Sequence, residues 1–339
     1  MNGTIKDVIK KILTPEQFKF CKKLYTQFRK FLWFNRIPGK EENIRMLWQP
    51  EFHYCNYDCN YCSLKAARKG PGKFIWNEGV HLTVLERILR LPFKIDLIIG
   101  TGGEPFISPC ITDSLIRITK SPNVRSLLVS SNIGVSKEIF KKFLSKCDIK
   151  KLCIAAAFHP TQEKNRQRFI DKVRYFVDKG VSIVVIVVAV PDKTTFELMI
   201  EFKKQLDSLG IPFFPTALQG TYKGKDYPRS YNKEQKRILS EIMYSKIDYE
   251  YKIEMKKPYL CDAGRKYFRL NSKGIISPCM GIPIPMGNIY SGVPKLSSRP
   301  MKCKKEECLC QQEYWNTLDF KKRYFNPTHN LHAYEEKLR

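Results

Sequence analysis

The sequence predicts an α/β fold built on a parallel sheet, and three observations carry that expectation. Between residue 45 and about residue 216, short β-branched runs alternate with longer stretches of helical apolar periodicity, the pattern of successive βα units. The longest apolar run, 181–191, is too short to cross a bilayer and rich in Val and Ile, so it reads as a buried strand. With 339 residues, 43% of them hydrophobic, the chain can bury one large core and carry a smaller appendage.

Taken in order, residues 1–44 read as a helical segment. Phe20, Leu24, Phe28, Phe31 and Leu32 recur at helical spacing, while Lys19, Lys22, Lys23, Arg29 and Lys30 fill the other face. Such a basic amphipathic helix either packs on the protein core or rests on an anionic membrane surface or lipid-linked ligand; Pro38-Gly39 ends it. A core of residues 45–220 follows. Strands are expected over 46–54, 94–100, 126–131, 151–158, 181–190 and 212–216, with helices over 78–91, 109–120, 136–147, 162–179 and 194–209 between them. Residues 215–230, rich in Gly, Lys and Tyr, read as a loop leaving the core. A polar helix over 232–246 lies in a linker at 221–258, a Cys-rich unit at 259–311 comes next, and 312–339 form a polar aromatic tail.

Lys and Arg number 60 against 33 Asp and Glu, a formal charge of +27 that biases the protein toward phosphate-rich partners. The basic residues are spread over nearly every expected helix, which favours a solvated surface over a nucleic-acid partner. Twelve Cys without a secretory leader pattern point to a reducing, cytoplasmic setting, and to the inner face of a membrane if the N-terminal helix binds lipid. No transmembrane helix is expected.

The first chemical constellation is Cys55, Cys59 and Cys62. Three thiols so spaced can converge on one iron–sulfur cube and leave its fourth iron without a protein ligand, and an open iron implies a bound substrate or cofactor. A zinc site or an accidental cluster is the competing reading, but the spacing does not match paired C-x2-4-C knuckles. The CxxxCxxC spacing resembles the signature of the radical S-adenosylmethionine (radical SAM) enzymes. That resemblance implies a partial (β/α)6 TIM-like barrel holding a [4Fe–4S] cluster and S-adenosylmethionine. It also implies reductive cleavage of SAM to a 5′-deoxyadenosyl radical that takes a hydrogen from substrate, with Tyr61 near the adenine. Parallel βα barrels place chemistry in loops after their strands, and the three Cys follow the first expected strand.

Further residues align with this resemblance. Gly102, Gly103, Glu104 and Pro105 follow the second strand; in the family such a turn binds the amino group of SAM through backbone carbonyls, and its glycines permit close backbone approach. A side chain at Gly103 is therefore expected to weaken SAM binding while sparing iron. Ser130, Ser131 and Asn132 resemble the polar strand end that contacts ribose and carboxylate in relatives, although short polar residues suit any such turn. His159 follows the fourth strand, where it can contact SAM or substrate, act as acid or base, or be structural. Cys110, Cys147 and Cys153 lack ligand spacing and read as packing residues.

Near the C-terminus, Cys261, Gly274 and Cys279 form C-x12-G-x4-C, followed by Cys303, Cys308 and Cys310. The first half resembles the auxiliary-cluster extensions called SPASM and twitch; the second, C-x4-C-x-C, departs from their usual spacing. Five thiols are too few for two fully Cys-ligated cubes, so the economical expectation is one auxiliary [4Fe–4S] cluster on Cys261, Cys279, Cys308 and Cys310, with Cys303 as an alternative ligand. Structural zinc is the competing reading. Function follows as an expectation: a radical SAM oxidoreductase acting on a carbohydrate-type or other small molecule, reduced by a partner such as flavodoxin or ferredoxin. A peptide maturase, an RNA-modifying enzyme and a non-catalytic iron–sulfur carrier are the alternatives. The turn at 102–105 argues against the last, since a carrier needs no SAM cradle.

Overall fold

A computed structural model describes residues 13–17, 19–21, 23, 24, 34–62, 64, 76–100, 102–256, 260–282, 284–303 and 308. After a short strand β1 (Phe34–Arg36), the chain alternates strands and helices: β2 (Asn43–Gln49), α1 (Glu78–Leu89), β3 (Lys94–Ile99), α2 (Pro109–Lys120), β4 (Val124–Ser131), α3 (Lys137–Leu144), β5 (Leu152–Phe158), α4 (Arg166–Asp178), β6 (Ser182–Ala189), α5 (Lys193–Ser208) and β7 (Phe213–Ala217). A hairpin of β8 (Gly220–Tyr222) and β9 (Lys225–Tyr227) precedes helices α6 (Lys233–Ile242) and α7 (Lys246–Lys252). Six short strands close the described chain: β10 (Leu260–Cys261), β11 (Tyr267–Asn271), β12 (Ile275–Ser277), β13 (Gly287–Asn288), β14 (Leu296–Ser297) and β15 (Met301–Lys302).

Strands β2 to β7 lie side by side in chain order, all parallel, as the βα alternation predicted. Four of the five crossover helices start where a side chain satisfies a free backbone N–H: Asn77 for α1, Ser108 for α2, Asn165 for α4 and Asp192 for α5; Ser136, before α3, makes no such bond. Pro109 occupies the first turn of α2, where it removes no intrahelical bond. Between sheet and helices the core is aromatic: Phe106 meets Phe140 and Phe143 edge to face at 5.0 Å, and Phe140 meets Phe176 at 4.8 Å. Inside the curved sheet a second core joins Leu47, Ile98, Leu128, Cys153, Ala155, Val184 and Phe214. Cys153 is a packing residue here, its thiol pushed up to about 12 by burial.

Two expectations change. The helical reading of 1–44 ends too late, because Phe34–Arg36 is a strand pairing antiparallel with β14 and β2 has begun by Asn43. Local periodicity there yields to long-range pairing that buries Phe34. Upstream, the described residues between 15 and 24 are helical, with Phe20 and Leu24 exposed by 61% and 48%. Phe28, Phe31 and Leu32 lie outside the described residues, as do Cys310 and the tail. The second change concerns the Cys-rich unit. Its first hairpin belongs to the barrel sheet: β11 pairs parallel with β2 from Tyr267 opposite Arg45 to Asn271 opposite Gln49, and β12 and β13 extend the sheet antiparallel. Among the described residues no helix is long and apolar enough to cross a membrane.

Candidate active site

The loops leaving the C-terminal ends of the parallel strands surround one cavity of about 480 Å³. Its wall contains Cys55, Cys59, Cys62 and Tyr61 after β2; Gly102, Gly103 and Glu104 after β3; Ser130, Ser131 and Asn132 at the end of β4; and His159 after β5. The structure thus gathers onto one wall nearly every barrel residue that the sequence nominated. Pro105 is the exception: it opens a short 3-10 turn and is buried below the cavity. No disulfide joins the described cysteines.

The turn after β3 and the three-Cys loop are built against each other. Phe52 bridges Gly102, and the Glu104 N–H donates to the Tyr54 carbonyl at 2.8 Å. A Cβ on Gly103 would stand 1.9 Å from that carbonyl oxygen, and one on Gly102 (φ +82°) 2.7 Å from His53 Nδ1. Glycine is therefore required because the cysteine loop fills the space, so a side chain at 103 displaces Tyr54 and Cys55 with it. This contact sets a second expectation beside the first, that iron falls together with SAM binding.

Glu104 does its work inward. Its carboxylate is 1% exposed and accepts from the Ser131 hydroxyl at 2.8 Å, the Asn132 N–H at 2.7 Å and the Phe106 N–H at 3.2 Å. Burial pushes its pKa up to about 7 while these donors pull the other way. The carboxylate and Ser131 thereby tie the end of β4 to the turn after β3. Asn132 continues the chain of contacts, its side-chain amide donating to Asn56 Oδ1 at 2.8 Å and lying 3.7 Å from Cys55 Sγ.

Three positioning residues were not read from the sequence. Gln162 accepts from the Asp58 N–H at 3.1 Å and donates to the Asp58 carbonyl at 3.3 Å, clasping the backbone immediately before Cys59. Lys172, buried on α4, donates to the carbonyls of Ile133 at 2.8 Å and Val135 at 3.0 Å. That bracing matters because Ile133 sits at φ 46°, a region a β-branched residue enters only when its surroundings force it. Gly134 completes the turn where a Cβ would meet Asn56 and the Tyr57 hydroxyl within 2.9 Å. A single sequence carries no signal for Gln162 or Lys172, since each acts through backbone groups remote in the chain.

His159 faces the cysteine loop. Its Nδ1 lies 2.9 Å from the Tyr61 hydroxyl and 3.5 Å from Cys59 Sγ, with the Tyr61 ring stacked at 6.1 Å. Burial raises the pKa of Tyr57 to about 12 and that of Tyr61 further, so both stay neutral phenols. Among the described residues no three His, Cys, Asp or Glu side chains converge on a point suited to one metal ion. A cavity of this volume falls in the ordinary range for small-molecule and cofactor sites.

The auxiliary thiols lie elsewhere. Cys261 and Cys279 pack against the inner core. Cys261 is paired with Met301 across the β10–β15 ribbon. Cys303, two residues beyond Met301, falls on the same face as Cys261 if the strand direction continues, about 7–8 Å away.

No family model matches the chain. GTP 3′,8-cyclase of Clostridium perfringens is 26% identical over 205 residues, 55% of this chain and 61% of that protein. The chain thus matches about three fifths of the length of this curated relative. Among solved structures, anSMEcpe with bound AdoMet is similar with a TM-score of 0.51 at 16% identity, over 74% of this chain and 76% of that one. Native anSMEcpe with bound AdoMet and Cp18Cys peptide gives 0.50 at 16%, over 87% and 86%. The class is defined at the level of architecture: the chain has the radical SAM fold. The resemblance first drawn from Cys55, Cys59 and Cys62 is borne out at that level.

Proposed function

We propose that this chain is a radical SAM enzyme whose cavity holds a [4Fe–4S] cluster on Cys55, Cys59 and Cys62, with SAM against Gly102 and Gly103. The observation that carries this reading is that three thiols and a glycine turn moulded to their loop line one cavity at the strand ends. When bound, cluster and cofactor supply a 5′-deoxyadenosyl radical able to take hydrogen from an unactivated carbon. The chain's own part is positional. Gln162 and Asn132 hold the cysteine loop, Glu104 and Ser131 fix the facing wall, and buried Tyr61 and Cys59 keep water from the loop's inner side.

The finer reading is net oxidation of a carbohydrate-type or other small metabolite, assisted by one auxiliary [4Fe–4S] cluster on Cys261, Cys279 and two of Cys303, Cys308 and Cys310. A flavodoxin- or ferredoxin-like protein is the electron donor. Exposed Phe20 and Leu24 beside Lys19 and Lys23 support contact of the N-terminal segment with an anionic membrane; flotation with anionic liposomes, with and without residues 1–40, tests that part.

The central test is a reconstituted Cys55→Ala, Cys59→Ala, Cys62→Ala variant. It is expected to keep auxiliary iron and lose SAM cleavage; undiminished cleavage sinks the reading. For the finer part, a product two hydrogens lighter than substrate, formed with one 5′-deoxyadenosine each, is expected. A redox-neutral product refutes net oxidation.

A further inference from the structure

The hairpin β8–β9 follows the last barrel strand, and residues 216–219 at its base line the cavity. It comes back to the cysteine loop, for Asn60 Nδ2 lies 3.5 Å from the Tyr222 hydroxyl. Its two faces differ in charge. Tyr222 stands opposite Lys225 and Thr221 opposite Asp226, and directly opposed residues of an antiparallel pair project to the same side. Lys225 therefore shares the face on which Tyr222 meets Asn60, whereas Asp226 points to the other side, where Arg229 pairs with it at 2.9 Å. Lys223, at the tip, places its ammonium 5.5 Å from the Tyr222 ring centre, which keeps it beside that same face.

Among the described residues neither lysine has an acidic partner, and both are exposed. Across the cavity, Arg168 and Glu163 both act on the Tyr57 hydroxyl and offset each other. Glu104, the only carboxylate among the described residues of the cavity wall, is spent on three internal hydrogen bonds. Among the described residues the hairpin thus presents a two-lysine face that forms no salt bridge, on a chain of formal charge +27. Such an arrangement raises the local concentration of anions and gives point-charge donors suited to phosphoryl oxygens.

We infer that β8–β9 is the substrate-recognition element of this cavity, and that the substrate carries a phosphate or pyrophosphate group held by Lys223 and Lys225. This deepens the proposed function and rests on it: the carbohydrate-type molecule enters with its phosphoryl end on the hairpin and its reacting carbon inward.

The probe is inorganic pyrophosphate, titrated calorimetrically into the reconstituted full chain at fixed ionic strength set with chloride. The neutral variant is Lys223→Asn with Lys225→Gln, chosen because Lys223 sits at φ 48°, where Asn is tolerated better than most residues. The charge-retaining control replaces both lysines with Arg. Wild-type protein and the Arg control are expected to bind, more weakly as salt rises, and the neutral variant to bind about tenfold or more weakly at unchanged iron content and Tm. Absence of binding to wild type, or equal affinity in the neutral variant, overturns the inference. SAM cleavage by the wild-type sample is scored separately, so failure of the radical SAM reading is distinguishable from failure of the hairpin assignment.

Discussion

Replacing Gly103 by Ala tests whether the turn after β3 and the cysteine loop are one mechanical unit. The added Cβ would lie 1.9 Å from the Tyr54 carbonyl oxygen and 2.8 Å from that of Phe52, against 3.4 Å for ordinary contact. Both obstacles are backbone, so no side chain can swing away. The loop must retreat by about 1.5 Å, the difference between 3.4 and 1.9 Å, and the Glu104 N–H to Tyr54 bond is lost with it. Overpacking costs about 1–3 kcal/mol and the broken hydrogen bond about 1 kcal/mol. The total of about 2–4 kcal/mol lowers Tm by about 4–8 °C at about 2 °C per kcal/mol. Because Tyr54 adjoins Cys55, iron content should fall toward that of the triple-Cys variant, in step with SAM affinity. The assay is iron per chain after reconstitution, read beside SAM binding by equilibrium dialysis. Full iron with weakened SAM binding would show that the turn serves the cofactor alone and refute the coupling.

Two further outcomes follow from the same wall. Gln162→Ala removes both bonds to the Asp58 backbone and is expected to cost about 1–2 kcal/mol of loop order, seen as faster cluster loss in air and a changed electron paramagnetic resonance line shape; Gln162→Glu, which keeps the acceptor and loses the donor, should lie between, and an unchanged signal in Gln162→Ala refutes the clasp. Glu104 has a folded pKa of about 7, above its ordinary 4.5, so its contribution is fully present below pH 4.5 and is lost as pH rises through 7, by on the order of 3 kcal/mol; Glu104→Gln should flatten that part of the stability–pH curve, and an unchanged slope from pH 5 to 8 removes the assignment.

The barrel was legible because its determinants are local. Residues 181–191 can hardly be anything but strand, and Asn77, Ser108, Asn165 and Asp192 mark helix starts by chemistry that needs only the next three residues. The cysteine spacing was legible for the same reason. What escaped was every feature whose partner lies far along the chain. Phe34–Arg36 continues a helical pattern and becomes strand because Leu296–Ser297 pairs with it. Glu104 reads as a ligand contact in the GGEP stretch, yet its carboxylate is oriented by Ser131 and Asn132, and Lys172 matters through the carbonyls of Ile133 and Val135.

Strand register also bears on what the proposed auxiliary cluster can do. Asn271 stands level with Gln49, whose side chain lines the cavity. From there β12 runs back antiparallel, with Ser277 opposite Arg269 and hence level with Leu47. Beyond Ser277 the strand ends, and Cys279 bridges Ile282. Cys261 packs on the same inner core, and neither thiol lines the cavity. Leu47, Ile98 and Leu128 belong to that same core. Iron held by thiols that do not line the cavity is set apart from it, which favours a part in moving electrons over direct contact with the substrate.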